Sequence, residues 1–123
     1  MTAYETLTFS AADGIGWLTL NRPDRLNAMT NRMVVETHDC LRETTECSDV
    51  RVLVLTGAGR GFCPGADLKH FAAGAEDIAT EPHHFQVPVL LHEMPQITIA
   101  AINGACAERL AAASPHALRT MKQ

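Results

Sequence analysis

The sequence has few cysteines, no long apolar run and no excess of basic residues, and each absence argues against a class of protein. Its four cysteines (Cys40, Cys47, Cys63 and Cys106) lack both C-x-x-C spacing and the density of a secreted disulfide scaffold, so we expect reduced, mostly packed thiols. No apolar run approaches membrane-spanning length, and the first residues do not resemble a secretion signal, which predicts a cytoplasmic protein with no membrane segment. The net charge of −4 argues against a general nucleic-acid or anionic-membrane surface.

The composition is that of one ordinary globular domain, with 46% apolar and 20% charged residues in a chain of 123. Residues 6–9 and 15–20 alternate or cluster apolar side chains on either side of Asp13-Gly14, which predicts a β-hairpin with a two-residue turn. A polar loop containing Pro23 follows, because proline and the nearby asparagines interrupt a strand. The chain therefore opens with a hairpin and a loop.

A helix and a buried strand come next. Thr30 suits an N-cap, and the helical spacing of residues 31–47 predicts an amphipathic helix that buries Met33, Val34, Thr37, Leu41 and Thr44. The apolar run over residues 50–56 predicts a parallel strand covered on both faces.

The later part of the chain carries weaker signals. Residues 69–88 are rich in alanine, histidine and proline, and predict a poorly specified connection over a site, with a helix at 85–93 that stops before Pro95. Residues 97–102 predict a second buried strand that ends in the turn Asn103-Gly104, and Ser114-Pro115 is a typical helix start for residues 116–123. Both strands thus run into glycine turns at one edge of the sheet.

Four kinds of chemistry can be considered at these turns. The loop Gly57-Ala58-Gly59-Arg60-Gly61 lacks the ending of a phosphate-binding P-loop, so a plain turn is favoured. The histidines do not have chelating spacing, which argues against a metal site, and Cys63 has no catalytic base placed by the sequence. Backbone N–H groups around Gly65-Ala66 could stabilise an oxyanion, because small residues let a carbonyl oxygen approach.

Four segments, at residues 18–29, 52–57, 61–68 and 99–104, together resemble the enoyl-CoA hydratase/isomerase (crotonase) family in order and spacing. The resemblance implies an α/β fold, a partial spiral of ββα turns made of an N-terminal hairpin, a helix, parallel strands and C-terminal helices. It also implies an acyl-CoA substrate whose thioester oxygen is held by two backbone N–H groups while an enolate forms. Coenzyme A would be part of the substrate, and no separate cofactor or metal is expected.

The resemblance assigns roles to individual residues. The backbone N–H of Ala66 matches the first oxyanion donor. Residues that match the coenzyme A loops are Arg25, Leu26, Ala28, Cys63, Gly65, Ala66, Asp67 and Leu68. Arg22 or Arg25 could meet a phosphate, and Asp67 caps the turn that follows it.

The chain departs from the family pattern after Gly104. No glycine follows Gly104, although the family places a glycine-rich helix start and a catalytic glutamate there. We infer that an internal block is missing between Ala107 and Glu108 and that the usual C-terminal helices are absent. Residues 1–107 would then be the N-terminal half of the fold, and 108–123 a helical segment from further downstream.

These departures bear on function. Without the second N–H donor and the catalytic carboxylates, we expect little or no turnover, and we expect exposed sheet edges and apolar surface. The alternative is a non-catalytic coenzyme A-binding remnant, or an assembly partner of a full-length homologue. The family commonly forms trimers through C-terminal parts that this chain lacks, which argues against a trimer here.

Overall fold

The computed structural model describes residues 3–65 and 82–104, with side chains described from residue 86 onward in the second stretch. Within this part of the chain, four strands form one mixed sheet in the order β1-β2-β3-β4. The strands are β1 (Leu7–Ala12), β2 (Ile15–Leu20), β3 (Val52–Gly57) and β4 (Ile97–Ala101). β1 pairs antiparallel with β2, and β2, β3 and β4 run parallel, which confirms the α/β architecture.

The hairpin is formed as its sequence predicts. Asp13 and Gly14 connect β1 to β2 with φ angles of 55° and 82°, and Ala12 pairs directly with Ile15. Two successive positive φ angles are the signature of the tight turns whose twist matches paired strands, and Asp-Gly adopts them at low cost. The local sequence therefore sets the register of the first two strands.

Helix α1 (Asn31–Thr45) follows its predicted N-cap, because the hydroxyl of Thr30 accepts the N–H of Met33 at 3.3 Å. All five residues predicted to be buried are buried. The two threonines among them tolerate burial because Thr37 donates to the carbonyl of Met33 at 2.7 Å, and Thr44 to that of Cys40 at 2.8 Å. The helix ends two residues earlier than its spacing predicts.

Helix α2 (Pro82–Glu93) corrects part of the prediction for the long connection. The helix begins before residue 85, and it contains Pro88, although proline removes a helical hydrogen bond. Val87, Leu90 and Leu91 of this helix pack against the hydrophobic core, so packing on the core stabilises a helix that local propensity disfavours. The rest of the predicted connection, residues 69–81, lies outside the described residues.

The hydrophobic core lies between α1, α2 and one face of the sheet. Its buried members are Leu7, Leu18, Leu20, Met33, Cys40, Leu41, Leu53 and Met94. On the other face, Trp17, Ile97 and Ile99 are 44%, 65% and 48% exposed. The exposure of Ile97 and Ile99 contradicts the prediction that residues 97–102 form a buried strand, whereas Val54 of β3 is buried on the same face. The exposed side chains agree with the expectation of exposed apolar surface.

A buried carboxylate fastens the entry to β1. Glu36 accepts hydrogen bonds from the N–H of Glu5 at 2.9 Å, the N–H of Thr6 at 2.8 Å and the hydroxyl of Thr6 at 2.5 Å. Burial alone would raise the pKa of Glu36, but these bonds and the guanidinium of Arg32 at 3.5 Å lower it below the ordinary 4.5. The hydrogen bonds that attach Glu5 and Thr6 to helix α1 therefore depend on the ionised form of Glu36.

Several predictions fall on residues 105–123, which lie outside the described residues. They are the helix after Ser114-Pro115, the missing block at Ala107–Glu108, and the division into residues 1–107 and 108–123, which stay predictions. No helix of the described residues is long and apolar enough to cross a membrane.

Candidate functional site

The candidate site is the edge of the sheet at which the three parallel strands end, here called the loop edge. It consists of the loop at residues 21–29 after β2, the loop at 57–65 after β3, and Asn103 with Gly104 after β4. Because β2, β3 and β4 are parallel, these three connections emerge side by side. Ligands of open α/β sheets bind at such an edge.

Asn103 ties the loop after β3 to the end of β4. Its side-chain amide donates to the carbonyls of Gly57 at 3.0 Å, Gly59 at 3.0 Å and Gly61 at 3.3 Å. Its side-chain oxygen accepts the N–H of Gly57 at 3.2 Å. One neutral side chain thereby satisfies several backbone groups of a loop that has no regular secondary structure.

Asn27 holds the same loop from the other side. Its side chain is fully buried, and its amide donates to the carbonyls of Ala58 at 3.0 Å and Gly61 at 2.8 Å. Its oxygen accepts the N–H of Arg22 at 2.7 Å. The φ angle of Asn27 is 62°, a region that asparagine tolerates better than most residues.

Two glycines are required by close backbone approach. A Cβ atom on Gly57 would lie 2.6 Å from the carbonyl oxygen of Gly61, and one on Gly104 would lie 1.6 Å from that of Arg60. Gly104 also has a φ of 79° and forms an isolated antiparallel bridge with Gly61. The loops after β3 and β4 can therefore touch only because these side chains are missing.

Gly65, by contrast, faces open space. Its φ angle is 125°, and a Cβ atom there would meet no described atom within 4 Å. Its carbonyl accepts the N–H of Met29 at 2.7 Å, which orients the carbonyl group of Gly65. The backbone at Gly65 is thus both oriented and accessible.

An apolar cavity of about 330 Å³ lies beneath this loop. Its walls are the covered face of the sheet, α1, α2 and the loop, through Leu18, Leu20, Met29, Thr37, Leu41, Leu53, Leu55, Phe62, Cys63, Pro64, Gly65, Val87 and Leu91. The hydroxyl of Thr37 is already bonded within α1. Because its walls are mainly apolar, the cavity is suited to bind an uncharged, apolar group.

Among the residues predicted for the site, the structure places Leu26, Cys63 and Gly65 at the loop edge. Cys63 and Gly65 line the cavity, and Leu26, with a φ of 53°, packs beside Gly61. Arg25 ends a short 3-10 turn, Pro23–Arg25, and is exposed.

The other predicted residues divide into two groups. The carbonyl of Ala28 accepts a hydrogen bond from the Arg22 guanidinium, so Arg22 already has a partner within the loop. Ala66, Asp67 and Leu68 lie outside the described residues. The first oxyanion donor and the cap at Asp67 therefore stay predictions.

Sequence reasoning missed the structural role of Asn27 and Asn103. Both lie in segments that carry the family resemblance, and both adjoin glycine-rich or left-handed backbone, which is the signal that could have identified them. It also missed the cavity-lining residues of α1 and α2, since spacing marks them only as core. Among residues 3–65 and 82–104, no three or more His, Cys, Asp or Glu side chains cluster as a metal site would require.

Comparison with known sequences points to one family. The family model for enoyl-CoA hydratase/isomerase matches residues 10–122. A 1,2-epoxyphenylacetyl-CoA isomerase of Escherichia coli is 38% identical over 100 residues, covering 76% of this chain and 38% of that protein. A probable enoyl-CoA hydratase of Mycobacterium tuberculosis is 36% identical over 110 residues, covering 85% of this chain and 42% of that protein.

Comparison with solved structures points to the same family as the comparison with known sequences. An enoyl-CoA hydratase/isomerase from Xanthobacter autotrophicus superimposes with a TM-score of 0.75 at 30% identity, over 85% of this chain and 40% of that one. An enoyl-CoA hydratase from Bacillus anthracis gives a TM-score of 0.72 at 30% identity, over 81% and 40%. The chain thus spans about two fifths of the length of the relatives that it matches.

Proposed function

Because this chain belongs to the enoyl-CoA hydratase/isomerase family, we propose that it binds an acyl-CoA thioester at the loop edge, with the acyl group in the cavity beneath it. The observation that carries the proposal is the apolar cavity of about 330 Å³ whose wall includes Cys63, Pro64 and Gly65. A single ligand with a polar thioester and an apolar tail matches a polar loop edge directly above an apolar space.

The backbone around Gly65 supports a place for the thioester oxygen. A trans peptide directs its N–H away from its own C=O, and the C=O of Gly65 is held by Met29. The family resemblance implies that the N–H of Ala66, the next residue, is the donor that the thioester oxygen meets. The open space in front of Gly65 would let a thioester oxygen reach it.

The cavity supports an apolar acyl group of moderate size. A dry cavity of roughly 150 Å³ binds a benzene ring, so about 330 Å³ would accept a straight chain of about six to ten carbons or an aromatic ring with a short linker. Each buried methylene contributes up to about 0.8 kcal/mol, so affinity would rise steeply with acyl length until the cavity is full.

The polar part of coenzyme A would lie along the loop after β2. Arg25 is exposed at the end of the 3-10 turn and could pair with a phosphate. Its loop is fixed by Asn27 and by the bond from Met29 to Gly65, so the guanidinium extends from a defined backbone. Arg42, which is exposed on α1, offers a matched arginine away from this loop.

We propose binding with little turnover. The sequence does not match the second N–H donor, and losing one such donor costs about 2.7–4 kcal/mol of transition-state stabilisation. A missing general acid or base costs a further factor of roughly 10²–10⁴. When the chain is incubated with 2-octenoyl-CoA, the absorbance of the enoyl thioester should decrease at a rate near that of the uncatalysed reaction.

The binding proposal is tested by calorimetry with coenzyme A and with octanoyl-CoA. Octanoyl-CoA should bind at least tenfold more tightly, equivalent to about 1.4 kcal/mol. Leu91→Trp, which fills the cavity, should reduce the affinity for octanoyl-CoA to that for coenzyme A. Val89→Trp is the control, because Val89 is 50% exposed on the same helix and does not line the cavity.

A second pair of variants tests the polar part of the site. Arg25→Ala should weaken binding of both ligands by about threefold to tenfold, in the range of an exposed charge-assisted contact, whereas Arg42→Ala should change neither. Equal affinities for the two ligands, or a Leu91→Trp variant that binds octanoyl-CoA normally, would contradict the placement of the acyl group.

A further inference from the structure

A second cavity, of about 390 Å³, lies at the edge of the sheet opposite the loop edge, where β3 and β4 begin, and is here called the strand-start cavity. Its walls are the end of α1, the loop before β3 and the residues before β4, through Thr45, Glu46, Cys47, Ser48, Val50, Arg51, Pro95 and Gln96. None of these residues lines the apolar cavity beneath the loop edge. The strand-start cavity is therefore a separate space, and its lining is mixed rather than apolar.

Gln96 brings an unused hydrogen-bond acceptor to this wall. The residue is only 8% exposed, and its Nε2 donates to the carbonyl of Thr44 at 2.6 Å, near the end of α1. Its Oε1 is buried and has no hydrogen-bond partner among the described residues. Buried polar atoms are normally paired, and an unpaired one carries a free-energy cost that a bound donor would remove.

Arg51 supplies a positioned cation to the same cavity. Its N–H donates to the carbonyl of Gly14 at 2.8 Å, and its guanidinium lies against the hairpin turn, where a Cβ atom on Gly14 would be 2.9 Å from Nε and from Nη2. Arg51 is exposed and forms no ion pair with another described residue. A guanidinium held in this way can pair with a carboxylate.

The opposite sign of charge comes from the end of α1. The helix ends at Thr45, so the partial negative charge of its C-terminus belongs to this wall, and the exposed carboxylate of Glu46 follows it. These groups favour a positively charged donor near the Oε1 of Gln96. Val50, which is buried, and Pro95 add apolar surface to the same lining.

We propose that the strand-start cavity binds an α-amino acid with an apolar side chain. The carboxylate of the amino acid pairs with Arg51, its ammonium group donates to the Oε1 of Gln96 beside Glu46, and its side chain packs on Val50 and Pro95. A cavity of roughly 150 Å³ holds a benzene ring, so about 390 Å³ has room for leucine and for bridging waters. A ligand that lacks either charge leaves one of these groups unpaired.

The proposal is tested by NMR titration of the full chain with L-leucine. We expect saturable binding with a Kd of about 1 mM, because the ligand is small and makes few contacts. The side-chain amide resonances of Gln96 and the backbone resonances of Cys47 and Arg51 should shift, whereas those of Gly57 and Gly61 at the loop edge should not. Isocaproate, which lacks the ammonium group, and isoamylamine, which lacks the carboxylate, should each bind at least about tenfold more weakly.

Two arginine variants give a matched comparison. Arg51→Ala should weaken the binding of leucine about fivefold to tenfold, because it removes the partner of the carboxylate. Arg42→Ala removes an exposed arginine of α1 that does not line this cavity, and should leave the affinity unchanged. The titrations with isocaproate and isoamylamine need no variant, so they test the proposal even if Arg51→Ala does not fold.

Three results would overturn the proposal. One is the absence of any shift of the Gln96 amide resonances at about 30 mM leucine. Another is an affinity for isocaproate or isoamylamine equal to that for leucine. The third is a folded Arg51→Ala variant that binds leucine as tightly as the unaltered chain.

Discussion

Two neighbouring parts of the molecule are fastened by different chemistry. At the loop edge, Asn27 and Asn103 hold the loop after β3 through neutral amides that donate to backbone carbonyls. At the entry to β1, the carboxylate of Glu36 accepts from the backbone and side chain of Thr6 and from the N–H of Glu5. The first fastening carries no charge, and the second depends on one.

A neutral amide is suited to the loop edge, and a carboxylate to the start of β1. A neutral amide keeps its hydrogen bonds at any pH near neutrality and adds no charge beside a site proposed to hold a thioester oxygen. A carboxylate makes stronger hydrogen bonds, but they weaken when it is protonated. We infer that the loop edge is built to keep its shape when the β1 entry loosens in acid, and the following predictions test this.

The largest effect is expected from Asn27→Ala. It would leave the carbonyls of Ala58 and Gly61 and the N–H of Arg22 without this partner in a buried position, at a cost of about 3–5 kcal/mol in the free energy of unfolding. Urea denaturation measures the loss. Asn21→Ala, at an exposed position of the same loop, is the control and should change stability by less than about 0.5 kcal/mol. Equal losses in the two variants would show that the buried amide is dispensable.

Glu36→Ala should cost less, about 2–3 kcal/mol, because one of the two N–H groups it releases belongs to the exposed Glu5 and can reach water, although that of Thr6 is buried. The same denaturation experiment applies, with the exposed Glu46→Ala as the reference for removing a glutamate from the end of α1. A loss as large as that of Asn27→Ala would remove the distinction between the two fastenings.

The pH dependence separates the two parts more directly. The pKa of Glu36 is lowered in the folded chain, so its contribution is present above the ordinary value of 4.5 and is lost as pH falls through the lower folded pKa. Stability measured from about pH 7 to about pH 3 should therefore decline less steeply in Glu36→Gln than in the unaltered chain. Asn27→Ala should be offset from the unaltered chain by a nearly constant amount. Parallel curves for Glu36→Gln and the unaltered chain would contradict the assignment.

The smallest expected effect is a difference in the rates at which two cysteine thiols, Cys40 and Cys63, are chemically modified. Burial raises the pKa of Cys40, in α1 beneath the β1 entry, to about 11, whereas Cys63 is partly exposed in the loop. A rise from 9 to 11 lowers the thiolate fraction about a hundredfold, so iodoacetamide should modify Cys63 well before Cys40. Peptide mapping by mass spectrometry follows each site. Similar rates at the two cysteines would show that the core around Cys40 opens readily.

The elements that the sequence predicts well are those decided by near neighbours. Asp13-Gly14 sets a turn between adjacent residues, and Thr30 caps a helix three residues away. The bonds from Glu36 to Thr6 and from Asn103 to Gly57 join residues 30 and 46 positions apart, and no local pattern indicates them. Pro88 argues locally against a helix, and core packing outweighs it.

The candidate site divides in the same way. The glycines of the loop after β3 and the turn at Asn103 are visible in the sequence because they interrupt apolar strands. The cavity is not, since its walls come from the sheet, two helices and the loop, and each of the strand and helix side chains by itself resembles an ordinary core residue. Family resemblance predicts which loops meet coenzyme A, but it does not show what holds those loops in place.

The bonds of Asn103 also bear on how the protein ages. An asparagine followed by glycine is the sequence most prone to lose its side-chain ammonia, because the glycine N–H can attack the amide without steric hindrance. Ammonia leaves as the cyclic imide forms, and water then opens the imide to a carboxylate, which replaces the amide that donates to the carbonyls of Gly57, Gly59 and Gly61. Stored protein would then lose the shape of the loop edge through chemical decay at a single residue, while the rest of the sheet stayed folded.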